Sequence, residues 1–298
     1  MNHITLNKIT IAIVALAMVV ILCASYFVFM DDDSDDGDSP LSTLNVNGAE
    51  PTVENVSSGL YEIQRNLVLC TMGEPTGNVK AFLSWIMSSE GQAIVADEFV
   101  PLNDTSDYID PVGLVKLNVG GSTTIQPIMI KLVDAYTQKY GSDRVSISVL
   151  AGGSGVGASN TANGSFDIGM CSRNLKQSEK DLGLKENIIG KDGVALLVNG
   201  TGVTDVTLAN IAAIFSGQIT NWKQLGGDDI EIKPVIRDDS SGTRECFDTI
   251  MKVTISGWTI EAGLPEFSST NGVIEMVDKT PGAIGYVSIG ALKEILDE

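Results

Sequence analysis

The chain has 298 residues, 38 of them acidic and 19 basic, for a formal charge of −19. That length gives one or two globular domains a sizeable core, and 43% apolar with 19% charged residues argues against global disorder. The acidic excess argues against a duplex nucleic acid partner, which needs a basic face, and a lone histidine at position 3 removes the usual imidazole metal sites and histidine triads. Four cysteines (Cys23, Cys70, Cys171, Cys246) show no C-x-x-C spacing, so neither a metal nor a cofactor is implied. Buried, inert thiols are the expectation for the last three, with a disulfide as the alternative open to an exported chain.

In chain order, the first feature is Ile9 to Met30, 22 residues whose only polar members are Thr10 and Ser25. A helix of that length crosses a hydrocarbon layer of roughly 30 Å. Lys8 precedes it and six aspartates follow between Asp31 and Asp38, so residues 1–30 are expected to anchor the chain with its remainder outside. A cleaved signal peptide is the alternative, although the run is long for one and no clear A-x-A site follows. Residues 31–40, D-D-D-S-D-D-G-D-S-P, read as a solvated acidic spacer. Residues 41–298 then form the extracytoplasmic domain, which is itself acidic.

Strand-like and helix-like runs alternate from there on, which predicts an α/β fold. Val79, Phe82, Leu83, Ile86 and Met87 predict a helix over 76–96, and Ile125, Ile128, Met129, Leu132, Val133 and Tyr136 predict another over 125–140. Leu67–Cys70 and Val194–Val198 read as buried strands, and Leu208 to Phe215 as a helix closed by Ser216-Gly217. Residues 103–114, with three Asp, a Pro and a Gly, read as a linker. Three turns place Gly and hydroxyl residues between a strand and a helix: Val119 to Pro127, Leu150 to Gly157 and Val235 to Arg244. Each alone fits an ordinary capped helix. Together, with Arg237 and Arg244 flanking the third, they point to an oxyanion site, because helix N-termini expose amides and Arg matches tetrahedral anions.

G-S-T-T-I-Q-P, G-G-S-G-V-G, D-I-G-M-C-S-R-N-L (167–175), I-F-S-G-Q-I-T-N-W (214–222), S-G-T-R and P-G-A-I-G-Y-V (281–287) occur in that order. In this the chain resembles the phosphate-binding proteins of ABC phosphate importers. The resemblance implies a two-lobed periplasmic-binding-protein-like (type II) fold, which would follow the N-terminal transmembrane helix expected from the apolar run. It implies a phosphate shell of Ser122, Thr123, Thr124, the Ile125 amide, Ser154, Ser241, Gly242 and Thr243, with Arg237 as the charged ligand. Asp239 is expected to orient Arg237, with Arg244 beside it. Some members carry an Asp where this chain has Ser172, followed by Arg173; Ser172 is taken as a ligand, and Arg173 either as a ligand or as a loop cap.

Residues 41–102 resemble the C-terminal segment of the same family, which elsewhere follows P-G-A-I-G-Y-V. The expected fold is therefore circularly permuted, with 103–114 joining the old ends and reaching about 40 Å if fully extended. Segment swapping with a neighbouring molecule and a remnant of a lost tandem copy are the rival readings. One lobe would hold about 71–193 and the other about 194–298 plus 41–63, crossing near Leu67–Thr71 and Val194–Val198. The implied function is capture of inorganic phosphate outside the membrane and delivery to the membrane subunits of an ABC permease, without catalysis. An anchored oxyanion sensor is one rival reading. An exported phosphatase or esterase is another, but it would lack a histidine base and the G-x-S-x-G motif.

Overall fold

The computed structural model of the protein describes residues 41–296; the expected anchor and acidic spacer lie outside the described residues. Among the described residues, no helix is long and apolar enough to cross a membrane. The chain runs β1 (Leu41–Val46), α1 (Val53–Ser58), β2 (Gln64–Met72), α2 (Gly77–Ile86), α3 (Ser89–Val95), β3 (Val115–Gly121), α4 (Gln126–Tyr140), β4 (Val145–Ala151), α5 (Ser154–Ala162), β5 (Ile168–Cys171) and α6 (Gln177–Asp181). It continues through β6 (Leu184–Asn199), β7 (Asp205–Val206), α7 (Leu208–Phe215), β8 (Lys233–Pro234), β9 (Ile236–Arg237), α8 (Gly242–Thr254), β10 (Glu266–Phe267), α9 (Thr270–Asp278), β11 (Ala283–Ser288) and α10 (Ile289–Leu296). The helix expected over 76–96 is two helices. Ser88 breaks it by accepting the Gly91 amide as the N-cap of α3.

One long strand organises the molecule. The first part of β6 pairs antiparallel with β2, from Gln64 opposite Gly193 to Met72 opposite Leu184. Its last residues pair instead with β1 and β11. On the first side the order is β4-β3-β5-β2-β6, with β3 parallel to both β4 and β5. On the second side β6 is flanked by β1, which leads to β7, and by β11, which leads to β8.

Two main hydrophobic cores follow this division. Leu67, Leu69, Phe82, Trp85, Ile86, Ile128, Leu132 and Tyr136 are among the buried residues of one. Leu44, Val56, Ile63, Val194–Val198, Phe215, Phe247 and Tyr286 belong to the other. Tyr136 meets Phe82 and Trp85 edge-on at 4.9 and 5.2 Å, which ties α4 to the hairpin of α2 and α3. Leu67 pairs with Gly190, not with 194–198, and the amide of Val194 donates to the carbonyl of Ile63. The chain therefore passes between the cores near residues 63–66 and 191–194, earlier than the sequence suggested. The apolar residues Leu67–Cys70 misled because Leu67 and Leu69 fill the first core and Val68 and Cys70 a small cluster on the other face of the sheet, whereas the crossing is polar: Gln64, Arg65 and Asn66 against Lys191 and Asp192. Cys70 and Cys171 are free, their sulfurs 4.0 Å apart on the neighbouring strands β2 and β5.

Candidate functional site

The β3–α4 turn is tight because Gly121 has φ 136°, and a Cβ there would sit 2.4 Å from the Met170 carbonyl. Only glycine fits, and the next residues are thereby delivered to the entrance of α4. Ser122 Oγ accepts from the amides of Thr124 (3.2 Å) and Ile125 (3.3 Å), so the Ile125 amide expected to meet a ligand also serves the cap. At the second turn, Ser154 opens α5. Its Oγ accepts from the Ser172 amide at 3.0 Å and lies 3.3 Å from Ser172 Oγ. At the third, Ser241 caps α8 by accepting from the Arg244 amide at 3.3 Å.

These turns converge. The amide of Gly155 donates to the Ser240 carbonyl at 2.9 Å. A Cβ on Gly242 would lie 2.3 Å from Ser154 Oγ and 2.8 Å from Ser172 Oγ. Thr124 and Thr243 hydroxyls stand 3.3 Å apart. Ser122, Thr124, Ser154, Ser172, Ser241 and Thr243 are all buried. Residues far apart in sequence thus form one hydroxyl-rich cleft between the two cores.

Arg237, 2% exposed, closes one side of it. Its guanidinium donates to Thr123 Oγ1 (3.1 Å), Thr270 Oγ1 (3.3 Å) and the carbonyls of Phe267 (3.0 Å) and Ser268 (2.9 Å). Among the described residues no carboxylate hydrogen-bonds it. Burial lowers this guanidinium to about 10, opposed chiefly by the charge of Asp238. A desolvated cation surrounded by neutral acceptors is an incomplete ion pair, and a buried anion would complete it.

One expected role finds no contact, and one open alternative is favoured. Asp239 is exposed, and Arg237 is oriented instead by Thr270 and the 267–268 carbonyls. Arg173 engages its own loop, the second of its two expected roles: it donates to the Asn174 carbonyl at 2.9 Å, forms a fork with Glu179 at 2.8 Å on each arm and an ion pair with Glu245 at 2.7 Å. Burial works against its charge, but the Glu179 bonds and the Glu245 charge hold the guanidinium above its ordinary value. Arg173→Ala is therefore expected to lower the thermal midpoint while leaving anion affinity unchanged, as calorimetry on the variant would read. Arg244 does act behind the site, donating to the Arg237 carbonyl at 2.7 Å while Asp248 holds its Nε at 2.9 and 3.0 Å.

The motif reading overlooked Thr270 and a buried set at the crossing strands. Arg65 on β2 forks onto Asp192 on β6, with Nε and one terminal nitrogen 3.0 and 2.7 Å from Oδ2. It also donates to Thr243 Oγ1 at 2.6 Å and Thr124 Oγ1 at 3.2 Å. Ser288 Oγ donates to the same Asp192 oxygen at 2.9 Å. Complete burial holds the Asp192 carboxyl above the usual carboxylate range, against the pull of Arg65. The available signal was an arginine beginning the otherwise apolar strand R-N-L-V-L-C, a charge that burial tolerates only with a partner.

Two cores joined by antiparallel crossings, with opposed helix entrances lining the cleft between them, define a protein of the two-lobed, type II class. Residues 104–297, more than half of the chain, match a family described as a PBP superfamily domain, and the chain belongs to that superfamily. It is 32% identical over 190 residues to the phosphate-binding protein PstS 2 of Streptococcus agalactiae, covering 63% of this chain and 64% of that protein. It is 35% identical over 183 residues to PstS of Bacillus subtilis, covering 60% and 58%. The chain therefore spans less than two thirds of the length of these curated relatives. Among solved structures, a putative phosphate ABC transporter substrate-binding protein from Clostridium perfringens, with bound phosphate, matches with TM-score 0.54 and 38% identity over 58% of this chain and 70% of that one.

Proposed function

We propose that this protein captures inorganic phosphate outside the membrane and hands it to the membrane subunits of an ABC permease. The observation that carries the reading is Arg237, a buried guanidinium with neutral partners only, set among hydroxyls from turns of both lobes. In this reading Ser122, Thr123, Thr124, Ser154, Ser172, Ser241, Gly242 and Thr243 share the site and would supply donors without adding negative charge. The names of the relatives agree with phosphate as ligand. Catalysis is not part of the reading, because the sole histidine stands at position 3 and, among the described residues, no general base hydrogen-bonds Ser154 or Ser241. The apolar run 9–30 would serve as a single-pass anchor that keeps the domain at the extracytoplasmic surface.

Isothermal titration with phosphate, arsenate, sulfate and molybdate tests the ligand. Phosphate binding at one site per chain is expected, and no heat with any of the four would sink the reading. An anchored sensor differs only in its partner, so co-purification of a permease separates the two.

The permuted order belongs to the same proposal. Its support is that β1 and β2, from residues 41–102, pair with β6 of their own chain, while the family match begins only at residue 104. Residues 103–114 run irregularly along α2, tethered through Asn78, Ser84 and Arg144. Proteolytic cleavage within 103–114 should leave the two pieces associated and still binding phosphate, as gel filtration followed by titration would read. Separation of the pieces into inactive fragments is the contrary result.

A further inference from the structure

Arg65 sits on the strands that cross between the lobes and touches a hydroxyl from each side of the cleft. Thr124 comes from the β3–α4 turn and Thr243 from the start of α8. Asp192, from the other crossing strand, fixes the guanidinium, and Ser288, at the end of β11, fixes Asp192. Both Arg65 and Asp192 are buried, with side chains 2% and 0% exposed. A guanidinium can only donate. Each threonine oxygen that it contacts is therefore an acceptor on that side, and its proton is left to turn elsewhere. The two hydroxyls are 3.3 Å apart, so at most one of those protons is spent between them and the other is free for an anion.

We propose that Arg65 is a positioning residue of the anion site: held by Asp192, it polarises Thr124 and Thr243 as donors and fastens the two lobes in the closed arrangement. The inference rests on the oxyanion reading above. It assigns Arg65 a part different from that of Arg237. Among the described residues Arg237 has no carboxylate hydrogen-bonded to it, whereas the charge of Arg65 is already met by Asp192, so the contribution of Arg65 is geometry and closure. A lysine would keep the charge beside Asp192 but could not fork to Asp192 and two threonines at once.

The test uses the full-length chain in detergent, with phosphate as probe. Affinity, stoichiometry and release rate are measured for wild type, for Arg65→Lys, and for the charge-neutral pair Arg65→Met with Asp192→Asn. A neutral replacement of a buried ion pair often folds as well as the original. Both variants are expected to keep one site per chain but to bind about tenfold or more weakly, through faster release, for the loss of charge-assisted bonds. Structural damage alone would lower the number of competent sites and leave the release rate of the remainder unchanged; that result, or wild-type affinity in either variant, overturns the inference. Failure of Arg65→Lys to fold, with its charge pair retained, would assign Arg65 to the scaffold and overturn it as well. Absence of binding by wild type to any oxyanion would instead be the failure of the functional reading.

Discussion

Arg237→Ala is expected to reduce phosphate affinity by about 2–5 kcal/mol, the range for truncating one member of a buried, hydrogen-bonded charge pair. At about 1.4 kcal/mol per decade, that is a loss between roughly thirtyfold and several thousandfold. The effect should be large because the guanidinium is 2% exposed and would meet the anion without competing water. The same substitution should cost the ligand-free fold much less. No carboxylate is stranded by it, and the Phe267 and Ser268 carbonyls lose one donor each. The pattern to look for is a ligand-free thermal midpoint near that of wild type and loss of the phosphate-induced rise in that midpoint. Arg237→Lys should recover only part of the affinity, since an ammonium cannot reach Thr123, Thr270 and the ligand together. Unchanged titration in Arg237→Ala would remove the cleft as the binding site.

Gly242→Ala is the second large effect, and it acts by volume. The added methyl would lie 2.3 Å from Ser154 Oγ, 3.0 Å from Ser154 Cβ and 2.8 Å from Ser172 Oγ. Neither serine can step aside: both are buried, and Ser154 Oγ is engaged by the Ser172 amide. The strain would push α8 away from α5 and separate the second turn from the third. A cost of about 1–3 kcal/mol is usual for overpacking, and here it falls on the closed arrangement that binding requires. Gly155→Ala is the matched control. Its methyl would meet Ser240 at 3.6 Å, ordinary contact, so titration should match wild type. Equal affinities for the two variants would show that Gly242 does not pack at the closed cleft.

The α/β class, the amphipathic helix α4 and the three hydroxyl-bearing helix entrances were legible in the sequence. Each depends on a periodicity or a turn chemistry that operates within about a dozen residues. Ser122 and Ser241 show this: each stands at a helix entrance, where its short polar side chain accepts from the next amides, while Ser154 opens α5 behind Gly153 and turns its hydroxyl to Ser172. The break at Ser88 was also local, but the apolar spacing runs through both helices and concealed it. Asp239 was misjudged, and Arg173 left open between two roles, because motif position fixes where a side chain starts and not what it meets. Glu245, 72 residues beyond Arg173, took part of that guanidinium, and Asp239 turned to solvent.

By itself the sequence determined the α/β class, helices such as α4 and α7, and the chemical character of the turns, since backbone propensity and capping are settled by near neighbours. Only the tertiary structure decided which charges are compensated. Arg65 finds Asp192 across 127 positions and Thr243 across 178, while Arg237 finds only neutral partners. Long-range strand pairing sets those distances, and at hydrogen-bond range inside a low-dielectric interior they determine whether a guanidinium meets a carboxylate or only neutral acceptors.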